Sequence, residues 1–229
     1  GLLELIERDA LMINFMQRLN PPEIDIETIN GINKEFISKI AKDYNIKIYS
    51  LYTDSGVPTY LSLIWQKKFG KIHYGIGACA NKNSDIAINK SLKECLFTFF
   101  YSKNILSERK TNKDEITALY EHFLYYQKDN FEKILFDSQK IAYKRKIITY
   151  KQIINNLQKN NIDVYYKEIT TEDVANTGIK VVKVIAPGLI DLNKSHILPR
   201  LGAGRFWSVP AKLGIKANKE LCETPHPFP

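Results

Sequence analysis

Glu4, Glu7 and Arg8 are separated by three and four residues, and on a helix that spacing places all three on one face. Two carboxylates on one stripe suit a divalent cation, and a neighbouring guanidinium suits a phosphate. A solvated face with an ordinary ion pair has the same pattern. A third carboxylate, Glu94, follows the stretch Gly75-Ile76-Gly77-Ala78-Cys79-Ala80, where a strand is expected to turn into a helix. Glycines there let backbone approach a ligand at a helix N-terminus, or serve only the turn. Arg200 and Arg205 bracket Gly202 and Gly204, a loop able to clamp an anion or simply to lie at the surface. The chain ends Pro225-His226-Pro227-Phe228-Pro229. Three alternating prolines fix φ and remove three donors, so neither helix nor central strand forms, and a stiff arm with an aimed carboxylate is expected.

The elements that must position these groups follow from periodicity. Apolar residues Leu2, Leu5, Ile6, Ala10, Ile13 and Met16 predict a helix from Leu2 to Gln17, stopped by Asn20-Pro21-Pro22. It starts without a cap or lead-in, which predicts that further chain precedes it. A second helix is expected over 26–43, broken at Gly31. Strands follow at Ile46 to Tyr52, Tyr60 to Trp65 and Ile72 to Cys79. Ser84-Asp85 caps a helix to Tyr101. The Lys-, Asp- and Tyr-rich segment 105–150 reads as a mostly helical insertion or peripheral lobe. A helix from Tyr150 to Gln158 and strands at Val164 to Tyr166 and Lys180 to Ile185 come next, with loops from Asp191 to the tail at 224–229. Alternating strands and helices argue for one α/β (α+β) domain over 1–229.

Composition narrows the classes. The 229 residues are 44% apolar and 25% charged, as in globular proteins, and no apolar run reaches membrane-spanning length. Cys79, Cys95 and Cys222 are odd in number and lack CxxC spacing, which points to a reducing cytoplasm and not to a disulfide framework or zinc. His73, His122, His196 and His226 have no metal-ligand spacing. The net charge of +8 is spread along the chain without basic blocks or interleaved aromatics, which argues against a nucleic-acid-binding module.

In order along the chain, these pieces resemble the YcaO family. Leu3-Glu4-Leu5-Ile6-Glu7-Arg8-Asp9-Ala10 is similar to its E-x-x-E-R-D-A helix. Gly75-Ile76-Gly77-Ala78 through Ser91-Leu92-Lys93-Glu94 is similar to its second nucleotide-binding stretch, and Val181 to Leu189 to its late strand and Pro-Gly turn. Pro199-Arg200 to Arg205, Val209 to Gly214 and the P-x-P-x-P end resemble the subgroup that makes azoline heterocycles in thiazole/oxazole-modified microcins. The resemblance implies a YcaO-type domain of mixed sheets and packed helices with its N-terminal part missing. It also implies an ATP- and Mg²⁺-dependent peptide cyclodehydratase. Such enzymes activate a backbone amide oxygen with the γ-phosphate of ATP and convert Cys, Ser or Thr of a ribosomal precursor peptide to thiazoline or oxazoline. Streptolysin-S-like cytolysin or bacteriocin clusters are the expected setting. By the same resemblance Glu4, Glu7 and Glu94 are Mg²⁺/phosphate carboxylates, and Arg8, with Arg200 or Arg205, faces the nucleotide. Pro225, Pro227 and Pro229 form a catalytic tail that presents its carboxylate near the reacting amide. Implied partners are the precursor peptide, a leader-binding protein, a flavin-dependent dehydrogenase and a second copy in a homodimer, with neither nucleic acid nor membrane.

The sequence departs from the family at three places. The small hydroxyl residue that usually opens the first helix falls at Gly1 or before it. The Gln that commonly follows the third carboxylate is Phe97, which cannot make an amide's hydrogen bond. Upstream residues that contact the nucleotide are not in this chain, so on its own it is expected to be inactive. Two rival readings stay open. One is another YcaO activity, such as thioamide or amidine formation or help in ribosomal-protein modification. The other is a degenerate, non-catalytic scaffold that binds precursor peptide.

Overall fold

Helix α1 (Leu2–Met16) buries Ile6, Ala10, Ile13 and Met16 as the apolar spacing predicts, and it ends just before the Pro21-Pro22 pair. The structure is a computed structural model and describes residues 1–68, 71–105, 113–126, 130–197 and 199–228. After α1 come β1 (Glu23–Asp25), α2 (Ile32–Ile40), β2 (Asn45–Ser50), β3 (Thr59–Lys68) and β4 (Lys71–Ala80). The helix expected over 26–43 is thus split into a short 3₁₀ turn (Ile26–Thr28) and α2, with Gly31 at φ 73° between them, a conformation that suits glycine. Next are α3 (Ser84–Ile105), α4 (Leu119–Tyr125) and β5 (Lys140–Ala142). The chain continues with α5 (Tyr150–Lys159), β6 (Tyr165–Glu168), α6 (Glu172–Ala175), β7 (Val182–Ile185) and α7 (Arg205–Lys212).

The mixed α/β architecture is the expected one. Five strands form a sheet in the order β4-β3-β2-β1-β5, antiparallel except for the parallel β1–β5 pair, and β6 and β7 form a separate antiparallel ribbon. Alternation along the strands divides the core into two layers. Leu61, Leu63, Tyr74, Ile76 and Ala78 pack against α1, α4 and α7. Tyr60, Ile64 and their neighbours turn the other way, toward α2 and α3. Each fully buried Leu, Ile or Phe in these layers stabilises the fold by about 1.5–3 kcal/mol.

Two expectations fail here. The segment 105–150 is not mostly helical: its described part holds one helix of 7 residues, two 3₁₀ turns and β5. Nor does it lie peripherally, because Phe123, Leu124, Tyr126, Phe131, Ile134 and Phe136 fill the main core and β5 extends the sheet. Their aromatic side chains supply the apolar area that the weak helical periodicity concealed. The expected loop after Asp191 contains α7, whose Phe206, Val209 and Pro210 are buried at helical spacing. Pro210 sits inside that helix and masks it in sequence.

A candidate active site on the free edge of the sheet

Strand β4 is the edge of the five-stranded sheet, and its pairing with β3 leaves alternate N–H groups pointing away from the sheet. Side chains from the two flanking helices take up three of them. Ile76 N–H donates to Thr98 Oγ1 at 2.9 Å, Ala78 N–H to Glu94 Oε2 at 2.8 Å and Ala80 N–H to Glu7 Oε2 at 3.1 Å. Thr98 and Glu94 come from α3 on one face of the sheet, and Glu7 from α1 on the other. The two helical layers therefore converge on one edge and bring Glu7 and Glu94 together there.

Gly75 and Gly77 make this approach feasible, and not as turn or ligand-facing residues. Both lie inside β4. A Cβ on Gly75 would meet Cys95 O at 2.1 Å, and one on Gly77 would meet Ser91 O and Cys95 N at 2.4 Å. Without those Cβ atoms α3 packs directly on the strand backbone. The alternation of Gly75 and Gly77 with buried Ile76 and Ala78 has the period of a strand, a signal that the turn reading passed over.

Electrostatically, among the described residues, the acids of the cluster outnumber its one near cation, Arg8. Burial is the main reason that the Glu7 carboxyl is pushed up to about 8, against the pull of the Ala80 N–H, and the charges of Glu94 and Glu4 add to it. Burial also raises Glu94, with Glu4 contributing. Although Glu94 is exposed as a residue, its carboxyl tip turns inward to Ala78. Arg8 is the near counter-charge, but it is shared: its guanidinium pairs with Glu4 and, at 3.0 Å, with Asp191. The expected stripe of Glu4, Glu7 and Arg8 is thus one cluster with Glu94, to which the structure adds Asp191.

The other expected residues lie elsewhere. Arg205 does not face this cluster. Its Nε and one terminal nitrogen bind Asp9 at 2.8 and 2.6 Å, and its terminal nitrogens bind Asp54 at 2.7 and 3.2 Å. All three are buried, and Ile190 N–H adds a third bond to Asp9 at 2.9 Å. A guanidinium committed on two sides to carboxylates has no edge left for a nucleotide. Arg200 is exposed, and its backbone N–H is held by Asn193 Oδ1 at 2.9 Å. Pro225 and Pro227 are buried beside the far end of α1, where Cys222 N–H donates to Met16 O at 2.7 Å. Along a helix that is about 13 Å from Glu7. Pro229 lies outside the described residues. Phe97 stands one turn beyond Glu94, 72% exposed, with its ring stacked on Tyr101 at 6.4 Å.

The residues fit a magnesium–nucleotide pair. Mg²⁺ takes one or two carboxylates and completes its shell with waters and phosphate oxygens. Among the described residues no three His, Cys, Asp or Glu side chains converge enough to hold a metal unaided. Two pinned carboxylates with a third alongside match that shared mode. A cavity of about 660 Å³ lined by Leu51, Tyr60, Lys144 and Lys146 contains none of these acids.

A family model described as YcaO cyclodehydratase, ATP- and Mg²⁺-binding, matches residues 1–190. The chain belongs to the YcaO family. Its fold is similar to that of a heterocyclase solved in complex with substrate and cofactor (TM-score 0.76, 22% identity), covering 99% of this chain and 31% of that one. It is also similar to a chain of the E. coli microcin synthetase McbBCD complex with pro-MccB17 bound (TM-score 0.63, 22% identity), covering 100% of this chain and 59% of that one. A third neighbour is the YcaO protein of Methanopyrus kandleri bound with AMPPCP and Mg²⁺ (TM-score 0.56, 16% identity, 82% of this chain and 51% of that one). The chain thus spans about a third to three-fifths of the length of these YcaO and heterocyclase structures. No match is found among curated proteins. Among the described residues no helix is long and apolar enough to cross a membrane.

Proposed function

We propose that this chain is the catalytic portion of an ATP- and Mg²⁺-dependent peptide cyclodehydratase, with a ribosomal precursor peptide as substrate. The observation that carries the reading is the convergence of Glu7 and Glu94, beside Glu4, on one strand edge with too little positive charge to balance them. Bound magnesium would supply that charge and screen the phosphates of the nucleotide. Glu7 and Glu94 then act as oriented acceptors, because the Ala78 and Ala80 N–H groups fix their carboxylates before anything binds. In this reading Arg8, whose pairs with Glu4 and Asp191 are part-exposed, unlike the four bonds of the buried Arg205, meets a phosphate oxygen.

Precursor binding follows the microcin synthetase likeness, and a leader-binding protein is its natural partner. A flavin-dependent dehydrogenase, a homodimer, a cytoplasmic location and a streptolysin-S-like setting belong to the same reading. In it Arg200 faces the nucleotide, and the tail residues Pro225, Pro227 and Pro229 act close to the reacting amide. The test uses the full-length protein. Glu4→Ala and Glu94→Gln should abolish magnesium-dependent ATP turnover while circular dichroism stays unchanged; turnover at the wild-type rate overturns the site. Deleting Pro227 to Pro229 should stop loss of water from the peptide while ATP still binds, and continued ring formation would make the tail dispensable.

A second reading is favoured by Phe97. An exposed aromatic ring one turn from Glu94, where the family commonly has an amide, suits a non-catalytic scaffold that holds peptide. Under that reading ATP turnover is absent from the wild type as well.

A further inference from the structure

The C-terminal tail is gripped by histidines that the carboxylate site does not use. The ring of His226 stacks on that of His122 from α4, with centroids 4.0 Å apart and planes 11° from parallel. His196 meets His122 edge-on at 6.3 Å. Both ring nitrogens of His226 are engaged: Nε2 lies 2.7 Å from Asn193 O, and Phe228 N–H donates to Nδ1 at 3.4 Å. With Nδ1 accepting, Nε2 carries the proton and donates to the carbonyl, so the network itself assigns a neutral ring. Four residues on, at the C-terminal cap of α4, the Tyr126 hydroxyl donates to Pro225 O. His122 is fully buried, and among the described residues neither of its ring nitrogens has a partner of proper geometry, although backbone of Lys194 and His226 lies close.

We propose that His122 and Tyr126 are positioning residues that clamp the proline tail by ring stacking and by the Pro225 carbonyl, setting where its last residues point. The proposal rests on the ring-forming function above, in which the tail acts on the substrate. Two neutral imidazoles stack without charge repulsion and at low side-chain entropy, and prolines on either side of His226 remove the freedom to swing away. A proton on His226 would replace the Nδ1 acceptor with a donor facing the Phe228 N–H. It would also set a cation against His122 in a buried space.

The groups that face the pair from the surrounding elements set its pH response. They are His196 from the 191–197 segment, Tyr126 just after α4, and Cys222 and Glu223 from the chain leading into the tail; Met16 of α1 lines the same space. Burial is the main cause that pushes His122 down to about 3 and His226 down to about 4, with His196 adding to both. A freed histidine titrates at about 6.5. The clamp is therefore at full strength above about pH 6.5 and weakens as the pH falls from there toward 4.

Two measurements test this. The first needs no substrate: imidazole NMR titration of the four histidines, together with hydrogen exchange at the His226 and Phe228 amides. The wild type should show two rings that do not titrate above pH 5. In His122→Ala the His226 ring should titrate near its free value, and exchange at the two amides should rise by about tenfold. His122→Phe keeps a flat uncharged ring and should keep slow exchange. Tyr126→Phe, which removes only a hydroxyl, should raise exchange modestly and serves if His122→Ala fails to fold. A His226 ring that titrates normally in the wild type, or exchange unmoved in both His122→Ala and Tyr126→Phe, overturns the clamp.

The second measurement follows water loss from a synthetic peptide with a single cysteine, using full-length enzyme and MgATP. His122→Ala should lower kcat by about tenfold with the KM for ATP unchanged, and His122→Phe should restore it and move the acid limb of the pH profile. If His122→Ala frees the tail and kcat holds, the positioning role falls. If the wild type makes no ring, the proposed function fails while the titration and exchange results still decide the clamp.

Discussion

Glu7 and Asp9 stand two residues apart on α1, both acidic and both largely removed from solvent, yet their surroundings are opposite. Asp9 accepts two bonds from Arg205 and one from Ile190 N–H, and Asp54 completes the guanidinium. Burial raises its carboxyl, with Arg205 pulling against that rise. Glu7 accepts one backbone bond, and of its charged neighbours Glu4 and Glu94 are acids while Arg8, the one cation among the described residues there, is shared with Glu4 and Asp191. One face of the helix is satisfied within the fold, and the other is left needing positive charge from outside. A buried charge with partners holds structure, and a buried charge without them invites a ligand.

Breaking the satisfied side should have the largest effect. Arg205→Ala leaves the buried Asp9 carboxylate without its guanidinium and, among the described residues, Asp54 with only Lys212 at 3.8 Å, and should cost about 3–5 kcal/mol in denaturant unfolding. If the loss were under 1 kcal/mol, the two faces of α1 would not differ as described. Gly77→Ala attacks the packing that brings the acids together. With backbone atoms 2.4 Å from the new Cβ, α3 must lift from β4, at about 3 kcal/mol and with loss of nucleotide binding.

The unsatisfied side should appear as pH dependence. Glu7 has its pKa raised from 4.5 to about 8, so its contribution to stability is fully present below pH 4.5 and is lost as the pH rises through about 8. Allowing for solvent, the metal-free protein should lose about 2 kcal/mol over that range, and Glu7→Gln should flatten the curve. Added Mg²⁺ with nucleotide should raise the melting temperature more at pH 8 than at pH 5, and equal shifts would show that the acids do not bind it. The smallest effect is expected at Phe97. Exposed as it is, Phe97→Gln should change stability by less than about 0.5 kcal/mol while tightening nucleotide binding.

The grouping of Glu4, Glu7 and Arg8 on one helical face was legible from spacing, but their link to Glu94 came only from the resemblance to the YcaO family, because α1 and α3 meet through the sheet and not along the chain. The Asp9–Arg205–Asp54 network was not legible, because Arg205 lies 196 residues from Asp9 and 151 from Asp54, and no periodicity links such positions. Arg205 in a glycine-bearing loop looked like an anion clamp, whereas the fold makes it the first residue of α7 and turns it inward. Gly75 and Gly77 were visible as glycines but not as the place where a helix lies on a strand. The strands and long helices followed their periodicity closely. Helix α7 and the aromatic segment around Phe123 to Phe136 did not, because tertiary packing and not local pattern determines their place.

The covering of the β4 edge by Thr98, Glu94 and Glu7 has a further consequence. These side chains occupy the donors that a strand from another molecule would use, so they protect the protein against edge-to-edge self-association as well as forming its acidic cluster. An alanine variant at Glu7 or Glu94 uncovers part of that edge and should oligomerise more readily, and glutamine, which keeps the acceptor, should remain monodisperse. Loss of turnover accompanied by aggregation in the alanine variant, but loss of turnover alone in the glutamine variant, would separate the chemical role of each carboxylate from its role as an edge guard.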